Sequence, residues 1–166
     1  GFNSPFEEFA FALELFLNGV STVYPRAIYM TGHRRENPRH VADERRYEAL
    51  AHLKTPEGEP AVRKDHDYIT IWGYWNGPDE LLAEGSEEVY RAFNAAHAHA
   101  SGMISEETLH ELMQLKRSRL ARCGFEDLYL KPDHLLVSFD AKGELVLGWT
   151  GRPEGRLCNF ELIRKI

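Results

Sequence analysis

Lys131, Asp133 and His134 fall within four residues of one another, in a proline-containing stretch between two apolar runs (Gly124 to Phe139, GFEDLYLKPDHLLVSF). Such a turn presents an ammonium, a carboxylate and an imidazole on one edge, the set that a nucleotide or other charged ligand would meet. About twenty residues later Leu157-Cys158-Asn159-Phe160-Glu161 places Asn159 and Glu161 between apolar flanks. If the intervening residues form a hairpin, the two segments lie side by side. Other groups are weaker. His97 and His99 stand two apart, so on a helix their rings diverge and cannot easily share a metal, which wants i, i+4 spacing. His33 and His40, with Arg34, Arg35 and Arg39, could hold an anion or simply form a solvated basic loop. Tyr68, Trp72, Tyr74 and Trp75 read as core packing, or as a stacking surface. Cys123 and Cys158 have no motif around them and read as inert thiols.

The elements that must position these residues follow from pattern. Ser4 to Asn18 reads as a helix. Ser4 is an N-cap, Pro5 suits the first helical position, Glu7 and Glu8 favour the positive end of the dipole, and Asn18-Gly19 is the stop. Its apolar positions are Phe6, Phe9, Leu13, Phe16 and Leu17. Val20 to Met30 reads as a strand broken by Pro25, at an edge or a bulge. Thr31 to Asp43 reads as a loop, Glu44 to Leu53 as a short helix, and Lys54 to Lys64 as another loop. Asp67 to Trp75 reads as a buried strand. Two helices follow, Ser86 to Ala100 and Ser105 to Arg122, the second with Lys116, Arg117, Arg119 and Arg122 loading its last turns. Leu135 to Phe139 and Glu144 to Trp149 read as a hairpin closed by Asp140 to Gly143, and Arg156 to Ile163 as a last strand. Strands and helices that do not alternate indicate an α+β domain over residues 1–166.

The 166 residues carry a formal net charge of −6 and 28% charged residues. A mildly acidic chain is a poor match for a nucleic-acid backbone, so no nucleic-acid partner is expected. No apolar run approaches the roughly 18 residues of a membrane span. With two cysteines and no signal peptide, the expectation is a reducing, cytoplasmic setting.

Leu130 to Val137 (LKPDHLLV) with Asn159-Phe160-Glu161 resembles the catalytic half of the protein-kinase-like superfamily. There an L-K-P-E-N-L-L-V segment leads into a hairpin and a D-F-G segment follows. On that resemblance the Ser4 to Asn18 helix is similar to helix C, with Glu8 as its ion-pairing residue. Val20 to Met30 and Asp67 to Trp75 are similar to the strands leading to the hinge, and Ser105 to Arg122 to the long helix before the catalytic loop. The implied fold is a partial kinase-like one with its N-terminal strands missing, residues 1–77 being N-lobe-like and 78–166 C-lobe-like. The implied cofactor is ATP with Mg²⁺ or Mn²⁺. Asp127 and Lys131 take the catalytic places, Glu8, Lys131, Asp133, His134, Asn159 and Glu161 the cofactor-binding places, and His134 and Asn159 the metal.

The departures are chemical. Tyr129 stands at the catalytic Asp position, His134 at the metal-binding Asn, Asn159 at the D-F-G acid and Glu161 at the Gly. Phosphoryl transfer needs hard oxygen ligands and a clamp on the phosphates, and no Gly-rich loop or strand-borne Lys precedes Ser4. The expectation is a degenerate, inactive kinase-like domain that binds a ligand or a protein partner. One alternative is a small-molecule phosphotransferase using Asp127, Lys131, His134 and Glu161 in a common pocket. Another is an α+β adaptor with no small-molecule site, docking through the aromatics around Trp72. An incomplete sheet would also offer an edge for oligomerisation.

Overall fold

The computed structural model describes residues 2–34, 44–77 and 90–166. Residues 35–43 of the expected loop, with Arg35, Arg39 and His40, and the expected helix start at Ser86 lie outside them. In chain order the elements are α1 (Pro5–Leu17), β1 (Pro25–Met30), a 3₁₀ helix (Glu44–Leu50), β2 (Tyr68–Trp72) and β3 (Arg91–Asn94). Then come α2 (Ala95–Ala100), α3 (Glu106–Arg122), β4 (Phe125–Asp127), a 3₁₀ turn (Pro132–His134), β5 (Leu135–Phe139), β6 (Arg156–Leu157) and β7 (Ile163–Lys165). Helices and antiparallel sheets in this non-alternating order make an α+β fold.

α1 starts where the sequence requires. Ser4 Oγ accepts from the Glu7 N–H and Glu7 Oε2 accepts from the Ser4 N–H at 2.8 Å, a reciprocal capping box. Its inward stripe differs from the expected one. Ala12 and Leu15 are buried and Phe11 packs against the core, whereas Leu13, Phe16 and Leu17 are exposed. Counting Phe side chains overestimated their pull, because the stripe that meets the core runs through Glu8, Phe11, Ala12 and Leu15.

β1 and β2 pair antiparallel as a two-stranded sheet, with Tyr29 opposite Ile69 and a register shift between Pro25 and Ala27. The break expected at Pro25 is thus an irregularity at the start of a strand. The expected strand residues before it are not in β1; Thr22 instead makes a parallel bridge to Leu157. The short helix expected over Glu44 to Leu53 is a 3₁₀ helix spanning Glu44–Leu50.

The second sheet runs β3–β5–β6. Residues Arg91–Asn94, expected in a helix, are strand β3, pairing with β5 from Arg91–Phe139 to Asn94–Leu136. Helix begins only after Asn94, whose Oδ1 accepts from the His97 N–H at 2.7 Å. Ladder pairing and the packing of Phe93 on Phe139 (6.0 Å between centroids) override local helix propensity. The Asp140 to Gly143 turn forms, with Asp140 N–H donating to Glu144 O at 3.0 Å. Its second arm has only isolated bridges, Phe139–Leu145 and Leu147–Pro153. Arg156 to Ile163 is likewise two short strands. β6 joins the sheet, and β7 pairs with β4, a strand not anticipated inside the Gly124 to Phe139 segment. Gly124, at φ +75°, turns the chain from α3 into β4.

A single core gathers Ala12, Leu15 and Val20 with Leu112, Leu120, Phe125, Val137, Leu157 and Phe160, so it crosses the boundary drawn near residue 77. Among the described residues no helix is long and apolar enough to cross a membrane.

α3 buries a charge. Leu112, Lys116 and Leu120 recur at i, i+4, and Lys116 is only 2% exposed, so it belongs to the inward stripe rather than to a basic C-terminal cap. Its Nζ donates to Ser21 O at 3.0 Å. Glu154 lies close by, accepting from Arg119 at 2.7 Å and from Ser21 Oγ. Burial, with Arg119 and Arg156 alongside, pushes the Lys116 ammonium down from 10.5 to about 7, against the pull of Glu154. The unfolded chain keeps that proton up to about 10.5, so between pH 7 and 10.5 it binds more protons than the native state does. Stability therefore rises with pH across that window, by up to about 1.4 kcal/mol per pH unit. Lys116→Met should raise the melting temperature at pH 7 and abolish this rise in stability. Denaturation of both proteins from pH 7 to 10 checks it, and parallel stability–pH curves would refute it.

Candidate functional site

The two segments singled out in the sequence lie against each other. β6 pairs antiparallel with β5, Leu135 opposite Leu157 and Leu136 opposite Arg156. The Cys158 N–H donates to His134 O at 2.9 Å, and its Sγ approaches the same oxygen at 3.2 Å. Gly155 permits this approach, since a Cβ there would meet the Leu135 side chain at 3.2 Å. The 3₁₀ turn is held at both ends by buried Leu130 and Leu135. Burial pushes the Cys158 thiol up to about 11, with Asp133 adding to it, so it is protonated and a poor nucleophile at neutral pH.

Three of the expected residues converge. The Asp127 side chain, 3% exposed, places Oδ2 3.8 Å from His134 Nδ1, and Asp133 Oδ1 is 3.8 Å from His134 Nε2. The imidazole sits between two carboxylates, at separations beyond hydrogen bonding, and its buried Nδ1 has no hydrogen-bond partner. Asp127 Oδ1 is occupied by the Tyr129 N–H at 2.9 Å. Lys131 turns onto Tyr129, its Nζ 4.2 Å from the ring centroid. At the position resembling the catalytic Asp, an aromatic face thus carries the lysine.

Asn159 and Glu161 are engaged differently. Asn159 Oδ1 accepts from the Glu161 N–H at 3.1 Å, closing a local turn. Glu161 O accepts from the Asn3 N–H at 2.8 Å, which brings Glu161 to α1 and Glu8. Glu8 Oε1 lies 3.6 Å from the Arg46 guanidinium, which also donates to Asn3 O. Burial, with repulsion from Glu161, raises the Glu8 carboxyl to about 7, although Arg46 opposes it. The ion pair expected of Glu8 is therefore made with Arg46. Sequence reading passed over Arg46; its only signal was a basic residue inside a short helical stretch.

The expected residues form two groups, Asp127, Lys131, Asp133 and His134 in one and Glu8 and Glu161 in the other, joined by the 157–161 segment. A cavity of about 340 Å³ opens beside Asn3, Glu7 and Arg46. Another, of about 460 Å³, lies by Tyr47, Lys54 and Arg63. Neither is lined by Asp127, Lys131, His134 or Glu161. Among the described residues no three His, Cys, Asp or Glu side chains are grouped as metal ligands. His97 and His99 are both exposed, His97 stacked on Phe93 at 5.5 Å. Trp72 is half-buried and stacked on Phe160 at 5.3 Å, while Tyr74 stands in solvent.

No protein-family model, no curated protein and no solved structure matches the chain.

The Glu8 carboxyl has a directional consequence. The native state holds its proton up to about pH 7, whereas the unfolded chain releases it near 4.5. Across that window the native state binds more protons, so stability falls as pH rises from 4.5 to 7. Glu8→Gln should remove the fall and leave the variant the more stable protein at pH 7.5. Urea midpoints at pH 4.5, 6 and 7.5 measure it. A wild type that gains stability over the variant across this range would contradict it.

Proposed function

We propose that the chain is a degenerate kinase-like domain that works by binding rather than by phosphoryl transfer. The observation that carries this reading is the seam at residues 131–136 and 156–159. The residues leading into the segment resembling D-F-G lie beside the segment resembling K-P-E-N, yet Asp127, Lys131 and Asn159 are spent on their neighbours. Asp127 holds the Tyr129 N–H, Lys131 lies on the Tyr129 ring, and Asn159 Oδ1 accepts from Glu161.

These residues do not fit ATP with Mg²⁺ or Mn²⁺ in a transfer-competent arrangement. Divalent cations of this kind want several oxygen ligands, and the two positions that would supply them hold an imidazole and an amide whose oxygen is already bonded. The hydroxyl-orienting carboxylate is replaced by Tyr129. What remains is a folded frame with surfaces available for a ligand or a protein.

A second reading, an α+β adaptor, is favoured by the outward side of the β1–β2 sheet. Tyr29 and Ile69 face each other there, both more than half exposed, with Ile71 beside them. That face, rather than Trp72, is the apolar surface an adaptor would use.

The discriminating experiment is a melting series with ATP, alone and with Mg²⁺ or Mn²⁺, alongside a measurement of ADP release. A ligand held at a hundredfold excess over its Kd stabilises by about 2.7 kcal/mol, enough to read as a clear shift. The expected outcome is no ADP release and no metal-dependent rise. A metal-dependent rise that Lys131→Ala or Asn159→Ala abolishes would overturn the proposal in favour of the small-molecule phosphotransferase.

A further inference from the structure

The 460 Å³ cavity lies away from every residue of the seam, and its size falls within the range of small-molecule sites. Its walls are held by main-chain bonds. Residues 53–61 close on themselves, with Ala61 N–H donating to Leu53 O at 3.0 Å, Thr55 N–H to Glu59 O at 2.8 Å and Lys54 bridged to Pro60. The opposite wall is pinned by Tyr68, whose hydroxyl accepts from the Arg63 N–H at 2.7 Å and donates to Arg63 O at 3.2 Å. Tyr68 is itself wedged between Phe6 and Tyr47, at 5.0 and 5.7 Å between centroids. The backbone carrying Lys54 and Arg63 is therefore fixed by contacts that leave their side chains uncommitted.

The lining joins an apolar part, Tyr47, Ala51, Pro60 and Val62, to a cationic one. Arg34 is neutralised by Asp65 at 3.0 Å. Lys54, Arg63 and Lys64 make no side-chain ion pair among the described residues, and Glu59 is the one further carboxylate of the lining. In a chain of net charge −6, three such cations against the one carboxylate of Glu59 around an apolar hollow form a local reversal of sign. Ammonium and guanidinium groups so placed match the oxygens of a phosphate, and the apolar wall with Tyr47 matches a ring.

We infer that this cavity binds a small phosphate-bearing molecule with an aromatic ring, the phosphate held by Lys54, Arg63 and Lys64 and the ring laid against Tyr47 and Val62. The inference does not depend on the kinase-like reading, since it uses none of residues 127–134 or 157–161. It also requires no metal.

AMP and phenyl phosphate are the probes, titrated calorimetrically without metal at low and at physiological ionic strength. Binding is expected to weaken with salt, as it does for solvent-exposed charges. Lys54→Glu and Lys64→Glu should each weaken it by about tenfold or more, since each removes one charge-assisted contact and sets a carboxylate against the phosphate. Adenosine and inorganic phosphate, each lacking one half of the recognised group, should bind far more weakly than AMP. Lys131→Ala should leave AMP affinity unchanged. Both lysines are exposed, so the unliganded variants should melt with the wild type, and Arg63→Gln provides a second test without charge reversal. Failure of both probes to bind, or binding that all three cavity variants leave intact, would overturn the inference. So would adenosine binding as tightly as AMP. AMP binding lost in Lys131→Ala but kept in the cavity variants would move the ligand to the seam and refute the inference separately from the proposed inactivity, which ADP release reports.

Discussion

Leu157 has a backbone segment on either side of it, and the rest of the molecule is arranged around that fact. Through β6 it pairs with Leu135 at the end of the 3₁₀ turn. On the other side its N–H donates to Ser21 O at 2.9 Å, and its carbonyl accepts from the Val23 N–H at 2.8 Å. A two-residue strand cannot stand alone; here it is completed by two segments from distant parts of the chain, and its side chain is wholly buried. Arg156 beside it lays its guanidinium over Tyr24 and over Trp75, 4.9 Å from each ring, and donates to Thr22 O. Phe160, three residues on, stacks on Trp72 of β2. α1, the β1–β2 and β3–β5–β6 sheets and the turn of interest all refer to this one short stretch.

The same region explains the placement of the buried charges. Ser21 gives its carbonyl to Lys116 and its hydroxyl to Glu154, so the bend that feeds the bridge to Leu157 is also where α3 meets the segment before β6. Burying ions is expensive unless each finds a partner. Glu154 has found two donors, and although burial raises its carboxyl, these bonds hold it below the usual range. Lys116 keeps only a partial compensation. At the other end of the 157–161 segment, Glu8 has one cation and one opposing carboxylate. The ionisable groups nearest the seam thus serve or tax the architecture.

Much of the frame was legible because it depends on local chemistry. Ser4, Pro5 and Glu7 specify the start of α1, Ser105 with Glu106 and Glu107 the start of α3, and Asp140 to Gly143 a turn, each through bonds made within a few residues. The neighbourhood of Lys131–His134 and Leu157–Glu161 was also readable, as an apolar pair of segments separated by a turn. What failed to read was set by partners far away in sequence. Arg91–Asn94 is a strand because β5 pairs with it, and Phe125–Asp127 because β7 does. Lys116 looked like a helix-end cation until its spacing with Leu112 and Leu120 was seen to be the buried stripe. The orientations of Asn159 and Lys131, which decide what the seam can do, depend on single bonds that no pattern of residue types encodes.

The tie between Asn3 and the 160s has a consequence for how the chain is made. Asn3 Nδ2 donates to Phe160 O and to Ile163 O, each at 2.7 Å, across 157 and 160 residues of sequence. During synthesis α1 emerges well before the strand and carbonyls that receive its start. Until then the start of α1 lacks the carbonyls that anchor it, although β1, β2 and Phe125 are already made, and contacts of such separation close slowly because the loop entropy comes first. The nascent chain therefore carries an incompletely anchored α1 until the segment around residue 160 is made, a state open to chaperones and to neighbouring chains. Release of the segment around residue 160 is the event that lets the molecule close.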